Sequence, residues 1–369
     1  MNYLTSKILF PLLLLLYVAD AQASDTLKIA KFFQPKEKGG LLILPLLYST
    51  PDTRLAYGAV GFYYFRIGDD EDKNRLSYIK LLTDYTQNRQ LDIWGSWNVF
   101  LKDESWLLRG EARYRNFPDR FYGIGNQSPA NNPELYSYDI INARLTAMRQ
   151  FRNKIYAGID YQIANLHNFR VDAAGILKSQ NITGNSGGVN GGLGLIFLID
   201  SRDNVVNASR GIFLDIGFYV YGKVFAGDFS YQNLTANFAR YHRIGKKGVM
   251  AYQTLVNFNF GNPPFLMMAA AGNDDILRGY ARNRFRDLNF IGTQVEYRQH
   301  LFWRVGAVAF AGIGDVFRTL SDITLQTLKY SYGGGLRLML NRKEQLNLRL
   351  DYGLGRHNRG LYFSIAEAF

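Results

Sequence analysis

From residue 41 onward apolar and polar side chains alternate with a period of two. In Gln345 to Leu354, the residues Leu346, Leu348, Leu350, Tyr352 and Leu354 share one face, and Gln345, Asn347, Arg349 and Asp351 share the other. Met250, Tyr252, Val256, Phe258 and Phe260 likewise oppose Gln253, Asn257 and Asn259, and Ile141, Ala143, Leu145 and Ala147 oppose Asn142, Arg144 and Gln150. An extended chain points successive side chains to opposite faces, so this pattern predicts strands that are greasy on one side and wet on the other. No helical period competes with it.

About sixteen such segments follow one another. They lie near 41–49, 54–67, 75–86, 89–101, 105–116, 135–151, 154–168, 189–200, 209–224, 229–243, 247–261, 289–302, 304–315, 327–340, 345–354 and 359–369. An even count puts both chain ends on one side, taken as the periplasm. The connections then sort by length: Phe117 to Pro133, Asn168 to Gly188, Gly261 to Leu288 and Gly314 to Gln326 fall outside, whereas Arg152-Asn153, Gly245-Lys246 and Asn341 to Glu344 fall inside. Gly68 to Asn74, a longish inner turn, and Gln87-Asn88, a short outer one, depart from the rule.

Composition narrows the class. Aromatics make up 15% of the 369 residues, with 36 Gly and only 9 Pro, and beyond the N-terminal stretch no run of about 18 apolar residues offers a helical span. Alternating strands of about ten residues, apolar toward lipid and polar toward a lumen, with aromatic girdles, predict an all-β, transmembrane antiparallel β-barrel. Residues 1–23 read as a signal peptide: Lys7, the apolar run Ile8 to Val18, and Ala21-Gln22-Ala23 as a cleavage site. Residues 24–40 are a short periplasmic N-terminal segment, with no room for a folded domain, and 41–369 form the barrel. With no cysteine, disulfides and thiol-bound metals are excluded, and hydrogen-bonded closure of the sheet is the expected source of stability.

The net charge of +12 does not make the chain a nucleic-acid binder. Its Arg and Lys are spread over alternate strand positions and form no basic stripe with stacking aromatics; a lumen lined by Arg, or contact with anionic headgroups, accounts for it better. The histidines His167, His242, His300 and His357 are scattered, without nucleophile-elbow or metal spacing. Neither an enzyme nor a cofactor is expected.

One connection stands apart. Asn273 to Asp287 is a long loop that carries Leu277-Arg278-Gly279-Tyr280; loops of this length are usually functional or disordered, and Ala269 to Gly272 with Tyr280 give it apolar surface to pack. In a closed barrel the nearest wall is the interior, so the loop is expected to fold into the lumen and aim Arg278 at it. Gln294, Glu296, Arg298 and His300 share the inward face of the following strand, which makes Glu296 the expected carboxylate partner.

The series Asp200-Ser201-Arg202-Asp203-Asn204 with Arg210-Gly211, then Leu277-Arg278-Gly279-Tyr280, Glu296-Tyr297-Arg298, Phe310 to Phe317 and the final Phe369 resembles the bacterial surface antigen barrel of the BamA/TamA-type outer-membrane assembly and translocation superfamily. Phe121 to Asn126 (FYGIGN) extends the likeness into an earlier outer loop. The resemblance implies a sixteen-stranded barrel whose sixth outer loop enters the lumen; the family usually carries polypeptide-transport-associated (POTRA) domains before the barrel, and with no room for one this chain is expected to be a member without them. Where that family often carries Phe-x-Asp-x-Gly, this chain has Phe310-Ala311-Gly312-Ile313-Gly314; Asp315, nearby, is the second candidate partner of Arg278.

The remaining candidates have structural readings beside functional ones. Asp200, Arg202, Asp203, Asn204 and Gly211 form either a self-capped periplasmic turn or a client contact. Leu361, Phe363, Ile365 and Phe369 alternate, interrupted by Glu367, as in last strands recognised by outer-membrane assembly machinery. Pro45 either blunts an edge or weakens a seam between the first and last strands. The expected location is the outer membrane of a Gram-negative bacterium, the partners its lipid and client or partner proteins, and the role protein insertion or translocation. The alternatives are a passive pore or ligand channel and a structural surface-antigen barrel.

Overall fold

The structure, a computed structural model, describes residues 39–50, 54–67, 75–101, 104–129, 133–272, 275–342, 345–356 and 358–369. The expected signal peptide, most of the N-terminal segment, Asn273 and His357 lie outside the described residues. In chain order the strands are β1 (Gly39–Thr50), β2 (Arg54–Phe65), β3 (Ser77–Thr86), β4 (Leu91–Leu101), β5 (Trp106–Phe121), β6 (Glu134–Arg152), β7 (Ile155–Arg170), β8 (Gly188–Asp200), β9 (Gly211–Tyr221), β10 (Tyr231–Ile244) and β11 (Gly248–Gly261). Then follow β12 (Ala269–Ala271), β13 (Phe285–Asp287), β14 (Asn289–Phe302), β15 (Val305–Phe317), β16 (Lys329–Asn341), β17 (Leu346–Gly355) and β18 (Asn358–Ile365).

Sixteen strands form one antiparallel sheet in sequence order, and β12 pairs with β13 in a separate two-stranded ribbon within the long β11–β14 connection. The period of two sets the faces. On β14, Ile291 and Val295 are exposed outward while Gln294, Glu296 and Arg298 are buried; on β17, Leu350 and Tyr352 are exposed while Asn347, Arg349 and Asp351 are buried. The outward row is the surface a bilayer requires of a spanning sheet, whose backbone groups are satisfied between strands. The inward row is a polar interior crossed by ion pairs between distant strands, such as Arg109 on β5 with Asp215 on β9 at 2.7 Å.

Two expectations are corrected, and a third is placed. The β5–β6 hairpin runs on past Phe117, its ladder reaching Phe121 opposite Glu134. Beyond Asn116, where its pairing with β4 ends, β5 is a local edge, and there a residue without an N–H, Pro118, is tolerated. The last strand stops at Ile365 and does not carry its alternation to Phe369: Ala366 takes a left-handed φ of 74° and the tail turns into the interior. Pro45 pairs with Ala59 of β2, and the ladders among the described residues include none between β1 and β18.

Candidate functional site in the barrel lumen

The long connection after β11 folds inward. Its apolar residues Ala269, Ala271, Ile276, Leu277 and Tyr280 pack with Phe290 of β14 and Val316 of β15, which removes their side chains from water and anchors the loop to the wall. The wall accommodates it by lacking side chains. A Cβ at Gly353 would stand 2.7 Å from the carbonyl carbon of Arg278, and one at Gly355 2.6 Å from the Tyr280 ring. Gly279 (φ +115°) adopts a conformation that favours glycine, and its own Cβ would meet the Leu354 backbone at 2.7 Å. Leu277, at φ 54°, holds a left-handed conformation unusual for its type.

Hydrogen bonds fix the tip to the last three strands. Tyr362 of β18 accepts from the Gly279 amide at 2.7 Å and donates to the Tyr280 carbonyl at 3.2 Å; the Tyr280 hydroxyl donates to the Tyr330 carbonyl and accepts from the Arg356 amide. Ser331 of β16 donates to the Arg278 carbonyl.

Arg278 is thereby aimed along the lumen wall and is wholly buried. Its guanidinium lies 2.6 Å from Glu296 of β14 and 2.6 Å from Asp351 of β17, with the Phe310 ring centroid 3.5 Å from its central carbon. Each carboxylate is shared. Arg298 pairs with Glu296 at 2.7 Å, and Arg337 of β16 with Asp351 at 2.5 Å. Glu367, in the inturned tail, closes the circuit, 2.7 Å from Arg337 and 3.8 Å from Arg298. The result is a ring of three guanidiniums and three carboxylates in alternation, with a fourth buried guanidinium, Arg349, 3.7 Å from Asp351, so that the cluster carries one formal positive charge in excess. A buried charge is tolerated when paired and hydrogen-bonded on several sides, and removing one partner strands the others.

Asp315 is not a partner of Arg278. It pairs with Lys329 at 2.6 Å, and Lys329 also donates to the Asn126 carbonyl. On β15 the residues facing the loop are Phe310, Gly312 and Gly314, and Asp315 has the opposite parity. Asp351, the second carboxylate on Arg278, already belongs to the wet face of its strand by alternation. Which strands meet across the lumen is a property of the closed shape, and no local pattern carries it. Arg337 and Glu367 escape sequence reasoning for the same reason, although Glu367 was the residue that broke the last strand's alternation.

From the opposite rim the Asp200 to Gly211 turn reaches the same ring. It is self-capped: Asp203 accepts from the Ser209 and Arg210 amides at 2.8 and 3.1 Å, Asn204 from the Val206 and Asn207 amides, and Asp200 pairs with Arg202 at 2.9 Å. Burial pushes the Asp203 carboxyl up, but the Ser209 hydroxyl and these amides outweigh it and hold it below its ordinary value. The turn also bridges the interior. Ala208 accepts from Arg298, Val206 accepts from the Glu367 amide, and Asn207 donates to the Gln345 carbonyl. Arg298 also donates to the Phe369 carbonyl at 2.9 Å, and the Phe369 ring packs near Tyr241. Loop tip, terminal turn and tail therefore converge on Arg298.

The early FYGIGN segment caps the other end. Gly125 donates to the Arg286 carbonyl, and Arg284 sits 4.6 Å from the Tyr122 ring centroid while donating to Ser128. Burial pulls the Arg284 guanidinium below its ordinary value. His167, His242 and His300 lie on three different strands, β7, β10 and β14.

A sequence model of the Omp85 superfamily domain matches residues 74–369. Among solved structures the chain is similar to BamA from Haemophilus ducreyi lacking POTRA domains 1–3, with a TM-score of 0.56 and 14% identity over 90% of this chain and 70% of that one. It is also similar to CdiB from Escherichia coli (TM-score 0.58, 9% identity, 90% of this chain and 63% of that one) and CdiB from Acinetobacter baumannii (0.52, 10%, 89% and 65%). The chain thus spans less than two thirds of either CdiB. At these identities the likeness concerns the fold. No curated protein sequence matches the chain.

Proposed function

The chain belongs to the Omp85 superfamily, and from that membership together with the docked loop we propose that it is an integral barrel of the Gram-negative outer membrane that serves protein insertion or translocation. The supporting observation is the ring around Arg278. A lumen filled by a loop whose tip is held through shared ion pairs is a closed state with a specific fastening, and a fastening made of charge pairs can be exchanged for contacts to a client. A passive channel has no use for it. On this reading the protein performs no covalent chemistry, and its ligands are polypeptide and lipid.

A passive channel is the second reading. It is favoured by the opposite part of the lumen, where Arg109, Arg113 and Arg144 remain partly exposed. Conductance of the purified barrel in planar bilayers separates the two: small, unsteady currents that grow in Arg278→Ala fit a plugged factor, and large steady currents from the unaltered protein fit a channel. Co-purification from outer membranes then identifies the client.

A further inference from the structure

The guanidiniums of the luminal ring are each held by carboxylates, and those at one patch of the outer rim are not. At the rim that carries the chain ends, a cleft of about 440 Å³ is lined by Ser201, Arg210, Ile212, Arg240, His242 and Arg243. Its orientation follows from register. Arg240 of β10 stands opposite Ile212 of β9 and Tyr252 of β11, both exposed outward; Tyr241, which closes the cleft on its inner side, is buried, and Arg243, of the same parity as Tyr241, lines the cleft from the exposed end of the strand. The cleft therefore opens on the surface that faces lipid, at the level where strands meet turns. Toward the middle of the sheet the outward rungs become apolar, with Leu214 opposite Phe238 and Phe238 edge-on to Tyr252.

Arg278, Arg298 and Arg337 in the lumen are all ion-paired. Among the described residues Arg210, Arg240 and Arg243 form no ion pair; the neighbouring Asp203 carboxylate is engaged by the Ser209 hydroxyl and the Ser209 and Arg210 amides, and between Asp228 and Asp274 the sequence has no acidic residue, while Lys246 and Lys247 follow Arg243. Three guanidiniums lining one cleft without an ion-pair partner, with an apolar strip directly above, complement a ligand having an anionic head and an apolar tail.

We propose that this cleft is a binding site for the phosphodiester headgroup of an anionic phospholipid in the leaflet that meets the terminal rim, its acyl chains lying along Leu214 and Phe238. The site deepens the reading of the chain as a membrane-embedded barrel and rests on it, but is independent of any client. Arg210 ends the turn that reaches the luminal ring, its amide held by Asp203, so an occupied site also steadies that turn.

The test is native mass spectrometry of the full chain released from mixed phosphatidylglycerol and phosphatidylcholine bilayers, with heat-modifiable gel mobility as the measure of insertion. One basic residue near an anionic surface is worth roughly a fivefold preference, so three sharing a site are expected to enrich phosphatidylglycerol by about tenfold or more. The combined Arg210→Gln, Arg240→Gln, Arg243→Gln variant should retain both lipids alike, and Lys178→Gln with Lys223→Gln, at the far rim, should keep the enrichment. No enrichment in the inserted, unaltered protein overturns the site, as does enrichment that survives the triple substitution. Stabilisation by inorganic phosphate alone, equal to that by phosphatidylglycerol vesicles, would make it a free-anion site and overturn the lipid assignment. A chain that never becomes heat-modifiable in any bilayer removes the membrane reading and the site with it.

Discussion

Arg278 is held by two carboxylates at equal distance, Glu296 and Asp351; Glu296 also meets Arg298, and Asp351 also meets Arg337 and, at 3.7 Å, Arg349. Truncation therefore leaves Glu296 and Asp351 facing one cation fewer in a dry interior. The cost for removing one partner of a buried pair is about 3 to 5 kcal/mol, well above the ~1 kcal/mol upper range of an exposed pair. Arg278→Ala should release the loop to added protease while heat-modifiable mobility persists, because the sixteen-strand ladder does not depend on it. Asp351→Asn should do the same more weakly. Asp315→Asn should free Lys329 and leave the loop protected; if it exposes the loop as much as Asp351→Asn does, the assignment of the second partner is wrong. Gly279→Ala tests the fit without touching charge. Its methyl would lie 2.7 Å from the Leu354 backbone at a φ unfavourable for alanine, so the loop should again become cleavable.

At the scale of elements, the terminal turn makes the pH-dependent prediction. The folded Asp203 carboxyl is held below its ordinary value, so its hydrogen bonds contribute stability that is complete above the unfolded value of about 3.9 and lost as pH falls through the folded one. Exchange of the Ser209 and Arg210 amides, corrected for the intrinsic rate, should accelerate in that acid window, and Asp203→Asn should abolish the acceleration. The strands themselves were legible because alternation is a local property: β14 spans Asn289–Phe302, the same residues that the pattern marks. Their inner and outer faces follow from it as well. The tail departs from the pattern because Phe369 continues the apolar parity of Leu361, while its direction depends on Ala366 and on a Glu367 that finds Arg337 and Arg298 only once the barrel has curled. Partners across a lumen are chosen by curvature and shear, and neither leaves a mark in a single strand's sequence.

For the molecule as a whole, the docked loop and the last strand are mechanically one body. Tyr362 of β18 bonds to both Gly279 and Tyr280, and the tail that continues β18 supplies Glu367 to the ring. β18 has a short ladder on its β17 side. Its ladder with β17 contains eight residue pairs, whereas that of β5 with β6 contains sixteen, and a strand with fewer rungs opens locally at lower cost. At the other end of the sheet, β1 contains Pro45, which donates no ladder hydrogen bond. Loss of the loop tip should therefore be felt in β18, where the tip is bonded, and not in the middle of the sheet. In Arg278→Ala, amide exchange should quicken along Asn358 to Ile365 and in the tail, by about tenfold or more if 1.4 kcal/mol of the lost pairing reaches the strand, while β5, β6 and β7 exchange as before. Should β18 keep its rates when the loop is demonstrably cleavable, loop and last strand are independent, and the ring fastens the loop alone.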